Sequence, residues 1–177
     1  MKTVVLLIAL LFSTAGAWAQ QQFEVTKEPD GTRVLKGIIS KDDITSDPLF
    51  SFAENQKGYT PNTFALEALK KYGSGIELVA FAGTWCDDTK YILPKFYSLL
   101  NAAAFAPDKV TLIGVDRNKK TLGHLAEAFN VINVPTFIVM KDGKELGRVV
   151  EYGKYGMWDK ELGEVITTAG ATTGTEK

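Results

Sequence analysis

The sequence predicts an α/β domain, a central mixed sheet flanked by helices on both faces. Three observations point there. Two short apolar runs, Ile76 to Ala82 and Val110 to Val115, have the length and composition of strands buried on both faces of a sheet. An amphipathic segment long enough for a crossover helix separates them. Two further strand-like segments, Thr136 to Met140 and Glu145 to Glu151, flank Lys141-Asp142-Gly143-Lys144, and Asp-Gly between strands is a strong hairpin signal.

The chain opens differently. Lys2 is followed by nine unbroken apolar residues, Val4 to Phe12, and then by Ala17-Trp18-Ala19. A positive start, a short apolar run and an A-x-A site read as a secretory signal peptide, with cleavage expected between Ala19 and Gln20. The run is short of the ~20 residues that span a bilayer; an uncleaved anchor is the alternative. No cysteine follows the site to carry a lipid, so no membrane anchor is expected after cleavage, and the mature protein is expected to be periplasmic or secreted. The expected organisation is a signal peptide (1–19), an N-terminal extension (20–60), a main domain (61–169) and a disordered tail (170–177).

Residues 20–32 read as polar and irregular, and Arg33 to Ile39 as an edge strand. Asp47-Pro48 has the form of an N-cap followed by a proline in the first helical position. Thr60-Pro61 repeats it before a helix over Asn62 to Tyr72, with Phe64, Leu66, Ala68 and Leu69 as its apolar stripe; Gly73-Ser74-Gly75 ends it. Asp87 to Ala104 is a long helix with Ile92, Leu93, Phe96, Leu99 and Leu100 at helical spacing, and Pro94 inside it predicts a kink. Thr121 is the expected cap of a helix over Leu122 to Phe129. Met157 to Thr168 closes the fold. Strand–helix–strand units predict parallel pairing through right-handed crossovers, with the hairpin adding antiparallel strands at one edge.

Composition excludes several function classes. The net charge is −1, or about −2 once Lys2 is cleaved. Nucleic acid needs a basic face, so none is expected as a partner. His124 is the one histidine and has no Cys or Asp cluster at ligand spacing, so no metal is expected. No Gly-rich phosphate loop or serine nucleophile motif appears, and no cofactor is expected. A single cysteine, Cys86, means that no intramolecular disulfide staples this chain. It is either a buried filler or a thiol kept for its chemistry.

Trp85-Cys86-Asp87-Asp88-Thr89 sits where a buried strand turns into the long helix. A helix N-terminus presents unpaired N–H groups and the positive end of the dipole, which stabilise a thiolate. Thr89, one helical turn on, is placed to donate to that sulfur, and Trp85 to shield one side. Asp87 and Asp88 act as helix-start modulators: they favour the helix and disfavour a nearby thiolate.

On these residues the chain from about Ile76 to Ile166 resembles the thioredoxin superfamily. The matching pieces are the strand ending in Thr84-Trp85-Cys86, the helix after it, Asn133-Val134-Pro135-Thr136-Phe137 opening the next strand, and the hairpin with Gly147-Arg148. The resemblance implies a cis Val134–Pro135 bond beside Cys86 and a groove in which an extended substrate segment pairs with that backbone. It implies Cys86 as the catalytic nucleophile and Trp85, Val134 and Pro135 as substrate-binding residues; Thr89, as the expected hydrogen-bond partner of the sulfur, is the second candidate catalytic residue. Two departures stand out. The family pattern has a second cysteine where this chain has Thr89, and thioredoxins proper have a buried carboxylate where it has Ala80. The expected activity is therefore monothiol thiol–disulfide exchange on exported proteins with thiols or disulfides, or on small thiols. The alternatives are a non-catalytic peptide- or protein-binding module and a peroxide sensor working through a sulfenic acid.

Overall fold

A computed structural model describes residues 22–171. The expected signal peptide, its cleavage site and residues 172–177 lie outside the described residues. The elements run β1 (Phe23–Lys27), β2 (Arg33–Ile39), α1 (Lys41–Thr45), α2 (Phe52–Gln56), α3 (Thr63–Tyr72), β3 (Glu77–Ala82), α4 (Asp87–Ala102), β4 (Val110–Gly114), α5 (Leu125–Ala128), β5 (Thr136–Lys141), β6 (Lys144–Val150) and α6 (Trp158–Ala171). The six strands form one sheet in the order β1-β2-β4-β3-β5-β6.

The only parallel pair in this sheet is β3 with β4, joined through α4. The second strand–helix–strand unit does not repeat it. Its chain returns on the far side of β3, where β5 pairs antiparallel. The hairpin is as expected: β5 and β6 are antiparallel, and Asp142 and Gly143 take φ 48° and 74°, the two left-handed residues of a tight hairpin turn. At the opposite edge Arg33–Ile39 is an interior strand. The edge is β1, drawn from the stretch read as irregular, and it pairs antiparallel with β2. Its side chains are mostly exposed, so no hydrophobic alternation marks it.

Alternation along β3 divides the core. Leu78, Ala80 and Ala82 face a large cluster built with α2, α3, α4 and α6, centred on Phe96 stacked on Phe137 at 4.3 Å, with Trp158 5.7 Å from Phe137. Phe81 faces a smaller cluster with Ile113, Val115, Ala126, Val131, Val134 and Ile138. Helices thus cover both faces, with the weight on one.

Several boundaries move for local reasons. Asp47 caps a single 3-10 turn, Pro48–Phe50, by accepting from Leu49 N. The cap of α3 is Asn62, whose Oδ1 accepts from Phe64 and Ala65 N, so Thr60-Pro61 only leads into it. Its buried residues are Ala65, Ala68 and Leu69; Phe64 is exposed. Thr121 caps nothing, because its hydroxyl donates to Gly114 O at 2.7 Å. The helix expected from Leu122 is broken at Gly123 and His124 (φ 65° and 55°), leaving only the four residues of α5. The last helix continues to Ala171, past the expected end at Thr168.

Candidate functional site

The site forms where β3 stops beside its parallel partner. After Ala82 the chain turns through Gly83, Thr84 and Trp85, and Cys86 N closes the turn by donating to Gly83 O at 2.9 Å. Cys86 is the N-cap of α4, with extended backbone (φ −89°, ψ 127°), and its carbonyl accepts from Lys90 N at 2.9 Å. No side chain caps this helix start, so the sulfur shares the first turn with N–H groups that lack an intrahelical acceptor.

Cys86 is half-buried. Its thiol donates to Val134 O at 3.3 Å, across 48 residues of sequence, and the Val134–Pro135 peptide is cis. Both side chains of that pair are buried, Val134 in the smaller core cluster. What Val134 offers the surface beside the sulfur is its backbone carbonyl. Ile132, two residues earlier, is 78% exposed.

Thr89 is fully buried, and its hydroxyl accepts from Gly83 N at 3.3 Å. The bond expected from Thr89 to the sulfur is not among the hydrogen bonds of the described residues; the hydroxyl braces the turn from beneath. Trp85 is held by its indole N–H, which donates to Val115 O at 2.9 Å. The ring folds back over Gly83, where a Cβ would stand 2.9 Å from ring carbon, so a side chain there would displace it. On its outer side lie the Arg117 guanidinium and the Lys119 ammonium, 5.1 and 5.5 Å from the ring centre. Arg117 is bidentate to Glu28 at 2.6 and 2.7 Å, which ties the β1–β2 turn to this wall of the site. Their mutual hydrogen bonds lower the Glu28 carboxyl and raise the Arg117 guanidinium.

The two acids diverge. Asp87 is exposed and stands 3.8 Å from Lys90 Nζ. Asp88 accepts from the Tyr152 hydroxyl at 2.9 Å. Burial, then the Asp88 bond, pushes the Tyr152 phenol up to about 12. Tyr152 reaches Asp88 because Glu151 N donates to Pro135 O at 2.7 Å, which docks the end of β6 on the proline loop. Tyr91, exposed, lies 6.1 Å from the Tyr152 ring.

Sequence reasoning missed Thr84. Its hydroxyl accepts from Leu35 N at 3.2 Å and donates to Arg33 O, so the strand before the helix is pinned to β2 two residues before the thiol. Thr84, Tyr152, Arg117 and Lys119 carry no local signal, because each acts through a contact with a distant segment. Ala80, six residues before the thiol, is fully buried, with no carboxylate of its own beneath the site. No group of three or more His, Cys, Asp or Glu able to hold a metal lies among the described residues, and no described helix is long and apolar enough to cross a membrane. The arrangement thus offers one reachable sulfur, a helix start behind it, a backbone acceptor beside it and aromatic walls.

A family model for thioredoxin matches residues 55–157. A thioredoxin of Chlamydia pneumoniae is 40% identical over 89 residues, half of this chain (50%) and 76% of that protein. One from Staphylococcus haemolyticus is 37% identical over 79 residues, 45% of this chain and 71% of that protein. Among solved structures, the thioredoxin of Fasciola hepatica is 29% identical and covers 58% of this chain and 89% of that one, with a TM-score of 0.39.

Proposed function

The chain belongs to the thioredoxin family, and from that premise we propose that it carries out thiol–disulfide exchange as an exported monothiol protein, with Cys86 as nucleophile. The observation that supports this reading is the half-exposed sulfur at the uncapped start of α4, 3.3 Å from the backbone of a cis-proline loop.

The chemistry follows from having one thiol. The Cys86 thiolate attacks one sulfur of a substrate disulfide; a Cys86–substrate S–S bond forms, the original S–S bond breaks, and the other substrate sulfur leaves as a thiolate that takes a proton from solvent. A second thiolate, from the substrate itself or from a small thiol, then attacks the mixed disulfide. It forms the new substrate disulfide and returns Cys86 as thiolate. Disulfides are exchanged with no net change in their number, so the reading fits isomerisation or transfer of a thiol adduct. In this role Trp85 and the Val134–Pro135 loop line the substrate groove, and Thr89 supports the turn. The leader, Lys2 to Ala19, supports an exported, periplasmic or secreted, location with exported proteins or small thiols as partners.

A second reading is a binding module that uses the same groove without covalent chemistry. The lone sulfur favours it, with Thr89 where a resolving thiol would stand and the buried Ala80 where a carboxylate would.

The test is the pH profile of Cys86 alkylation in the native mature protein. A rate that already levels off near neutral pH, together with mixed disulfides trapped from a periplasmic extract and lost in Cys86→Ser, supports exchange. A rate still climbing through the range of a free thiol, or no native alkylation, supports the module.

A further inference from the structure

We propose that the cavity at the far end of α4 from Cys86 binds a small amphipathic carboxylic acid, its tail on the core and its carboxylate against Lys41 and Tyr97.

This cavity, about 350 Å³, opens between the end of β2, the last turns of α4 and the start of β4. That is the size of a small-molecule site. Its floor is apolar: Ile39, Leu100, Phe105 and Leu112 are all members of the main core cluster. The helical rise from Cys86 to Leu100 puts it about 20 Å from the thiol, so it is separate from the cleft already described.

The polar groups on its wall select the ligand's sign. The Lys41 ammonium lies 5.3 Å from the Tyr97 ring centre and 5.6 Å from that of Phe52, and no carboxylate pairs with it among the described residues. Of the two acids on the same turn, Asp42 is exposed to solvent and Asp43 is already engaged, accepting from Ser40 N at 2.7 Å and Ser40 Oγ at 2.6 Å. The Tyr97 hydroxyl has no hydrogen-bond partner among the described residues, and burial pushes its phenol up to about 12, so it keeps its proton at neutral pH. Lys41 and Tyr97 line this apolar cavity with Ser40 and Asn101 as its other polar residues, so the one formal charge on its wall is positive. A carboxylate with an aliphatic tail supplies the acceptor and the apolar surface together. A cationic amphiphile meets like charge, and a neutral one leaves the ammonium unanswered.

The test titrates decanoate, decanol and decyltrimethylammonium into the mature protein, followed by calorimetry and by amide shifts. Expected is saturable binding of decanoate, shifts centred on Leu112 and Tyr97, and decanoate preferred over decanol. Lys41→Glu should weaken decanoate about tenfold or more, the scale of a lost charged hydrogen bond, and leave decanol unchanged. Lys41→Gln, a milder change, serves if the first variant does not fold. Protein alkylated at Cys86 should bind decanoate as before. Absence of saturable binding, equal affinity for decanoate and decanol, decanoate affinity unchanged by both Lys41 variants, or loss of binding on blocking Cys86 each overturns the proposal.

Discussion

The Tyr152 hydroxyl donates to Asp88 Oδ1 at 2.9 Å across 64 residues of sequence, holding one of the two acids at the start of the thiol-bearing helix. Asp88 stands two residues after Cys86 in the first turn of the same helix, and the phenol O–H offsets part of its negative charge. Tyr152→Phe removes the donor and keeps the ring beside Tyr91. The expected result is about two- to fivefold slower alkylation of Cys86 at neutral pH, with stability changed by no more than about 1 kcal/mol, measured by thiol kinetics and urea unfolding.

Thr89→Cys supplies the thiol this chain lacks. Residues three apart on a helix have Cα atoms about 5 Å apart, within disulfide range. The variant should lose both free thiols to an intramolecular disulfide under mild oxidation, counted by thiol assay and mass. In the reduced state it should be less stable by about 1–3 kcal/mol, because the Gly83 N–H loses its acceptor inside the fold. An oxidised variant that retains two titratable thiols would show that the helix start does not present position 89 to Cys86.

Thr84→Val keeps the shape of the side chain and deletes both bonds to β2. A buried Leu35 N–H and Arg33 C=O lose their partner, at a cost of about 1–3 kcal/mol. Hydrogen exchange at Leu35 should accelerate accordingly. Unchanged protection there would mean that Thr84 does not hold the strand.

Phe96→Ala opens the fully buried stack on Phe137 and should cost about 3–5 kcal/mol in denaturant unfolding.

Alkaline pH should destabilise the protein through its phenols. Tyr97 and Tyr152 are raised to about 12 from an ordinary 10, and Tyr59 is raised further in the same direction by burial and its bond to Asp159. A group whose native value is raised contributes stability that is complete below its unfolded value and lost as pH climbs through the native one. Thermal midpoints should therefore hold up to about pH 10 and fall between about pH 10 and 12. Tyr97→Phe should flatten part of that fall, with tyrosinate absorbance appearing late in the wild type and in step with unfolding.

Much of this molecule is readable locally. Ile76 to Ala82, the amphipathic spacing after Cys86 and Asp142-Gly143 give β3, α4 and the β5–β6 turn because strand, helix and turn chemistry act within a few residues. Local rules fail where a distant group takes over. Thr121 looks like a cap until Gly114 O claims its hydroxyl, and β1 looks irregular until β2 supplies its ladder.

The sequence by itself determined the strands and helices with strong local patterns (β3, α4 and the β5–β6 hairpin) and the placing of a single thiol at a strand–helix turn. Tertiary structure decided that β5 returns antiparallel beside β3, that Thr89 answers Gly83, and that Tyr152, Arg117 and Thr84 converge on the site. The physical reason is range: backbone preference is set by neighbouring residues, whereas the partner of a side chain is whichever distant surface the packed core brings within about 3 Å of it.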